Sequence, residues 1–335
     1  MEATMTKSVL VIGATGGVGG ATARVLLRKG WRVRAMHRSP ETAARRPGAQ
    51  GIEWVRGDAM SRDDVVAAAQ GVDVIVHGAN PPGYKNWRGL AIPMLANTIE
   101  AARIVGARIL FPGNVYNFGP DAGALVNEES PQHPTTGKGA VRVEMEAMLR
   151  HATLYGVRSV VIRAGDFIGT DSPSSWFKTV MVKPGKPVRA VTYMGEHAVG
   201  HDWAYLPDLA ETFARIAERE RELPNFDSFH FEGYWFERGV EIARAVGRAA
   251  GKPALPIKRF PWFVVYALAP VVPLFREMIE MRYLWKRPLR LDNAKLVAFL
   301  GGEPRTDLDE ALRATLAGLG CLPGADAGHL SLNHA

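Results

Sequence analysis

VLVIGATGGVGGATARVLLRKG, residues 9–30, runs from an apolar β-type segment into a helical one across a glycine-rich joint. The strand ends at Ile12. Gly13, Gly16 and Gly19 follow at three-residue spacing, with Thr15, Gly17 and Val18 between them, and a helical pattern continues to Lys29. Glycine lets a chain turn sharply and lets its backbone approach a phosphate, and the amides that open a helix favour an anion. Strand before and helix after are the context this pattern requires. The expectation is a pyrophosphate seat on Gly13, Thr15, Gly16, Gly17, Val18 and Gly19, with the Thr15 hydroxyl orienting the loop. That is a dinucleotide site.

Outward from this joint the chain keeps the same rhythm. β-rich runs at 8–13, 31–37, 52–58, 73–79, 108–113 and 159–165 alternate with helical patterns at 18–29, 61–70, 87–105 and 138–155. Apolar, weakly alternating strands separated by helices predict a parallel sheet covered on both faces, an α/β doubly wound (Rossmann) fold. Ligands of such sheets bind beyond the carboxyl ends of the strands, where the strand order reverses. After residue 166 prolines and glycines become denser and the elements less regular, with helical runs at 205–220, 236–251, 291–300 and 307–319. Gly251, with Pro253 just beyond, closes the second of these. The expected division is a dinucleotide-binding domain over 1–166 and a smaller C-terminal substrate-binding lobe over 167–325, packed on it with some exchange of chain.

The end of the second strand bears on the choice of cofactor. An acid there accepts hydrogen bonds from a ribose 2′-hydroxyl. The sequence instead reads VRAMHRSPETAARR, with His37 and Arg38 at that place and no acid before Glu41. An arginine pairs bidentately with a 2′-phosphate, so NADP(H) is favoured, with NAD(H) as the alternative.

The 335 residues carry 47% hydrophobic and 22% charged side chains, a globular composition with enough chain for a sizeable core. The formal net charge is +7, but the 41 lysines and arginines are scattered and form no basic stripe interleaved with aromatics, which argues against nucleic acid as a partner. Cys321 is the single cysteine, so no intrachain disulfide forms, and a reducing, cytoplasmic setting is expected. The apolar run near the N-terminus ends in glycines without a cleavage pattern and reads as a buried strand. FPWFVVYALAPVVPLF, residues 260–275, is too short to span a bilayer and is broken by Pro261, Pro270 and Pro273. It reads as a packed helix or a lid over a cleft, with membrane-surface contact as the lesser reading. No His, Cys and carboxylate spacing indicates a metal site.

GATGGVG (13–19), RGDAMSRDDV (56–65), VDVIVHGAN (72–80), VVIRAGDFIG (160–169) and HDWAYLPDLA (201–210) appear in the order of one family. In these segments the chain resembles the extended or atypical short-chain dehydrogenase/reductases, the NAD-dependent epimerase/dehydratase-like proteins. The resemblance covers the whole dinucleotide domain and enters the second lobe. It implies that Asp58 and Ala59 hold the adenine and that Gly78, Ala79 and Asn80 lie along the cofactor ribose. It further implies a homodimer through the helices at 87–105 and 138–155.

The family's chemistry rests on a Ser or Thr after the fifth strand and a Tyr-x-x-x-Lys pair on the next helix, placed for proton transfer. Here RILFPGNVYNFGP, residues 108–120, has no Ser or Thr, and none of the eight tyrosines has a lysine four residues later. The hydroxyl position falls near Pro112 or Gly113, with Asn114 the nearest polar side chain. Asn114 either orients a substrate oxygen or belongs to a simple turn. Family spacing relative to Glu146 puts Lys138 in the tyrosine position and Arg142 in the lysine position. Two cations one helical turn apart repel, so an anionic ligand between them is one reading and an Arg142–Glu146 surface pair is the other.

Two functions follow. In the first, an oxidoreductase or epimerase/dehydratase with a rearranged site acts on a carbonyl or nucleotide-sugar substrate. Arg142 then supplies fixed charge beside the nicotinamide ribose, and Lys138 or Tyr116 exchanges the proton. In the second, the chain binds NADP(H) but does little chemistry, as a redox sensor or partner-binding protein. Trp176, Tyr193, His197, His201 and Asp202 are the substrate-side candidates of the second lobe; His201 and Asp202 are adjacent in a strand and face opposite sides.

Overall fold

The computed structural model describes residues 6–81, 86–172 and 175–322. Seven parallel strands form the central sheet: β1 (Ser8–Ile12), β2 (Arg32–His37), β3 (Glu53–Arg56), β4 (Val74–His77), β5 (Arg108–Asn114), β6 (Arg158–Ala164) and β7 (Phe226–Phe231). Their spatial order is β7-β6-β5-β4-β1-β2-β3. The order reverses between β1 and β4, so the cleft beyond the carboxyl ends of those two strands is where the fold offers a ligand site. The expected doubly wound architecture is present.

Strand β1 is buried along its whole length, and successive side chains serve opposite faces. Val9 and Val11 enter one core, with Ala23, Val25 and Leu26 of α1 (Gly17–Arg28). Leu10 and Ile12 enter the other, with residues of α2 (Arg62–Ala68), α3 (Trp87–Val105) and α4 (Gly137–Ala152). The first face is closed by α5 (Leu206–Glu218), whose Leu209, Phe213 and Ile216 join Val25 and Leu26 of α1. Helix α4 starts where Thr136 caps it, its hydroxyl accepting from the Gly139 amide at 3.0 Å. It gives way at Thr153–Tyr155 to a single 3-10 turn, ahead of Gly156.

The chain enters the second lobe after β6 and returns to the first for α5 and β7. A second core gathers Phe177, Tyr193, Trp203, Ile242, Val246, Leu312 and Leu316. Around it lie a three-stranded sheet of Asp166–Ile168, His201–Tyr205 and Tyr234–Phe236 and a parallel pair of Val191–Tyr193 with Ile257–Arg259. The apolar run at 260–275 is divided between two short helices, Trp262–Leu268 and Pro273–Glu280. Among the described residues no helix is long and apolar enough to cross a membrane.

Candidate functional site

At the end of β1, Gly13 has φ +90°, and a Cβ there would lie 2.5 Å from the Gly78 carbonyl carbon. A Cβ on Gly19 would lie 2.5 Å from the Gly13 oxygen. Strand, helix and the turn after β4 therefore meet backbone to backbone, which only glycine permits. Gly16 caps α1 without a side-chain hydrogen bond, and the first turn holds no acid. Among the described residues no side chain caps the opening amides of α1, an arrangement suited to an anion. Val18 and Thr15 are half-buried on either side of it. Ser172 lies against Gly17, and the Arg24–Asp171 ion pair at 2.5 Å ties this part of the second lobe to α1.

The end of β2 is basic. The His37 Nδ1 lies 3.0 Å from both the amide and the carbonyl oxygen of Ser39, which folds the ring back on its own turn. Arg38 is exposed, and its carbonyl accepts from Arg56, whose guanidinium also pairs with Glu41 at 2.8 Å. Arg46, which the sequence reading passed over, donates to the Thr15 carbonyl at 3.3 Å and so brings a second cation to the glycine loop. Beyond β3, Asp58 is fixed in a tight turn: its carboxylate accepts from the Met60 amide at 3.0 Å while its own amide donates to Asp64 at 2.8 Å. The Ala59 carbonyl accepts from Asn97 of α3 at 2.9 Å.

The ends of β4 and β5 enclose Arg142. Its guanidinium donates to the Pro112 carbonyl at 3.2 Å and lies over Trp87 at 5.1 Å and Phe111 at 5.5 Å. Trp87 in turn donates its indole N–H to the Asn80 side chain at 3.0 Å. Asn80 and Arg142 are therefore linked through one aromatic ring, and Gly78 and Ala79 lead directly into that group. His77 lies beneath it, fully buried, with Nδ1 2.8 Å from the Thr98 hydroxyl. That hydroxyl donates to the Met94 carbonyl, so Nδ1 carries the ring proton and Nε2 is a bare lone pair. Burial first, and Arg142 second, hold the His77 pKa down at about 3.

Asn114 ends β5 half-buried, and its side-chain oxygen accepts from the Tyr116 amide at 3.0 Å, the geometry of an Asx turn. The Tyr116 carbonyl presses on Gly139, where a Cβ would lie 2.3 Å from it. Lys138 and Arg142 occupy the same helix one turn apart, but they turn to different partners. Lys138 is 5% exposed; its Nζ lies 2.6 Å from Glu277 Oε2 and 3.4 Å from Glu280 Oε2, and it donates to the Glu277 carbonyl at 3.0 Å. Glu146 turns away from Arg142 and accepts a two-pronged contact from buried Arg163 of β6, at 3.1 and 2.5 Å. The surface pair that helical spacing allowed is replaced by a buried one. Arg163 also contacts His230 of β7 at 3.0 Å, and burial pushes the pKa of that imidazole down to about 3.

In the second lobe His201 Nε2 lies 2.8 Å from Asp166 Oδ2, and its ring stacks on Trp285 at 4.1 Å between centroids. Its neighbour Asp202 points elsewhere, against Gly165, and is 4% exposed. Burial pushes its pKa up to about 7, opposed by the His201 charge. Tyr193 packs on His197 and Trp285, and Trp176 is half-buried beside the second core. No group of three metal-ligating side chains occurs among the described residues.

Residues 9–230 match the NAD dependent epimerase/dehydratase family. The uncharacterized protein y4nL of Sinorhizobium fredii is 30% identical over 238 residues, a stretch that covers 64% of each chain. An NmrA-like family domain-containing oxidoreductase, notA of Aspergillus, is 46% identical over 67 residues, 19% of this chain and 20% of its own. Among solved structures, the UDP-glucose 4-epimerase of Brucella ovis in complex with NAD superposes with a TM-score of 0.73 at 18% identity, covering 94% of this chain and 99% of that one. WbmH of Bordetella bronchiseptica in complex with NAD+ gives 0.66 at 19% identity, covering 93% and 98%. The fold is that of the short-chain dehydrogenase/reductase type, and these two solved relatives carry NAD. The chain belongs to the NAD dependent epimerase/dehydratase family.

Proposed function

We propose that this chain binds NADP(H) and acts as an oxidoreductase or epimerase/dehydratase on a carbonyl or nucleotide-sugar substrate, without the Ser and Tyr-x-x-x-Lys set. The arrangement of Arg142 carries this reading: a guanidinium held by the Pro112 carbonyl and Trp87, beside Asn80, at the carboxyl ends of β4 and β5. A fixed cation there serves the role that the family gives to its lysine. The glycines at 13, 16 and 19 and the α1 amides hold the pyrophosphate. Asp58 and Ala59 border the adenine, and Gly78 to Asn80 the ribose. Arg38 and Arg46 receive the 2′-phosphate. When bound, the nicotinamide accepts or donates a hydride, which asks of the protein only a correctly held carbonyl.

Asn114 orients the substrate oxygen through its amide N–H, since its oxygen is already engaged by Tyr116. Tyr116 and Lys138 are the proton-exchanging candidates, Lys138 with its ammonium committed to Glu277. Asp166 and His201 border the substrate from the second lobe. The nucleotide-sugar class draws support from the UDP-glucose 4-epimerase likeness. The Lys138 ion pairs favour a second reading, a weakly catalytic NADP(H) sensor. A homodimer through α3 and α4 in a reducing, cytoplasmic setting completes the proposal; light scattering tests the dimer.

The test is a turnover screen with NADPH against carbonyl compounds and UDP-sugars. It compares wild type with Arg142→Gln, Lys138→Ala and Tyr116→Phe. Arg142→Gln is expected to lower kcat about 100-fold or more. Activity untouched by all three substitutions overturns the assignment of the site, and no turnover of any substrate by wild type favours the sensor.

A further inference from the structure

Four of the large apolar side chains that the chain leaves exposed fall within nine consecutive residues: Phe263 (77%), Tyr266 (46%), Leu268 (42%) and Val271 (74%). They belong to the helix Trp262–Leu268 and the turn after it. That helix faces the second core through Val265, and Ala269 just after it is also buried. Monomeric proteins seldom leave so concentrated an apolar patch in water.

The exposed charges between residues 257 and 287 are of one sign. Lys258, Arg259 and Arg276 are exposed, and Arg282 lies over Trp262 at 4.9 Å and Tyr266 at 5.1 Å while donating to the Tyr266 hydroxyl at 2.7 Å. Glu277 and Glu280, the two acids between 257 and 287, turn inward to Lys138. The segment thus combines an apolar tip with basic flanks, and Arg282 sits on Trp262 and Tyr266, aromatic side chains that favour a membrane–water interface. A second copy packed on it about a twofold axis would bring the basic flanks of the two copies together, and like charges oppose that.

We propose that this face docks on an anionic lipid bilayer, with Phe263 and Val271 entering the headgroup region and Lys258, Arg259 and Arg282 contacting lipid phosphates. The two helices, of seven and eight residues, are far shorter than the ~20 needed to span a bilayer, so the contact is peripheral. The inference does not depend on the nicotinamide reading. Because the second of these helices carries the partners of Lys138, docking would place the membrane next to the cleft that receives substrate.

The 335-residue chain is sedimented with vesicles of phosphatidylcholine alone or with about one-third phosphatidylglycerol. Binding to the anionic vesicles, weakened by salt and absent from the neutral ones, is expected. Phe263→Asp with Val271→Asp, and separately Lys258→Glu with Arg259→Glu, should each lower the bound fraction about tenfold or more, with thermal melting and NADPH titration unchanged. Absence of binding to anionic vesicles, or binding unaffected by both pairs of substitutions, overturns the proposal. So does a dimer that the substitutions dissolve without any vesicle binding, since the patch is then an interface between copies.

Discussion

At Gly19 a methyl group decides whether β1 and α1 can meet. Gly19→Ala puts a carbon 2.5 Å from the Gly13 oxygen, and backbone on both sides leaves no flexible neighbour to move. The expected result is a loss of about 1–3 kcal/mol in urea unfolding, together with loss of dinucleotide binding. Asp202 supplies a pH test of the same grain. Its carboxyl titrates at about 7 in the fold against an ordinary value of 3.8. The folded chain therefore holds this proton more tightly than the unfolded one. Stability should fall as pH rises from about 4 to about 7 and then carry a constant penalty of a few kcal/mol. Asp202→Asn keeps an acceptor but never ionises, so it should unfold at higher urea than wild type at pH 8 and lose the slope below 7. Equal stability of the two proteins at pH 8 would show that the carboxylate is not strained by burial.

At the scale of elements, α4 is held to the rest of the molecule by buried charges in its first and third turns, Lys138 and Glu146. Glu146→Ala would leave Arg163, 1% exposed, without its carboxylate, a change expected to cost about 3–5 kcal/mol by chemical denaturation. Most elements were legible because their reasons are local. Strands covered on both faces read as apolar runs, and Thr136 and Gly156 bracket α4. The seventh strand, FDSFHF, was not legible. Its Asp227, Ser228 and His230 break the apolar run, and they are tolerated because Lys295 pairs with Asp227 and Arg163 contacts His230. Those partners come from 68 and 67 residues away. The candidate site divides in the same way. The glycine loop and the basic end of β2 are sequence-local, whereas Glu277, which holds Lys138, lies 139 residues from it and left no local signal.

For the whole molecule, the two lobes share one chain path: α5 and β7 return to the first core, and Asp171 and Ser172 of the second lobe lie on α1. With the dinucleotide at the glycine loop, as proposed, binding would draw on both lobes, and a saturating dinucleotide should raise the melting temperature of the molecule as one unit, by mass action on the folded state. The identity of that dinucleotide is the central claim. Calorimetric titration of the wild type and of Arg38→Glu with NADPH and NADH tests it directly. NADPH should bind wild type about tenfold or more tightly than NADH, and Arg38→Glu should remove the difference by weakening NADPH alone. Failure of both dinucleotides to bind wild type, or equal losses for the two in the variant, would contradict it.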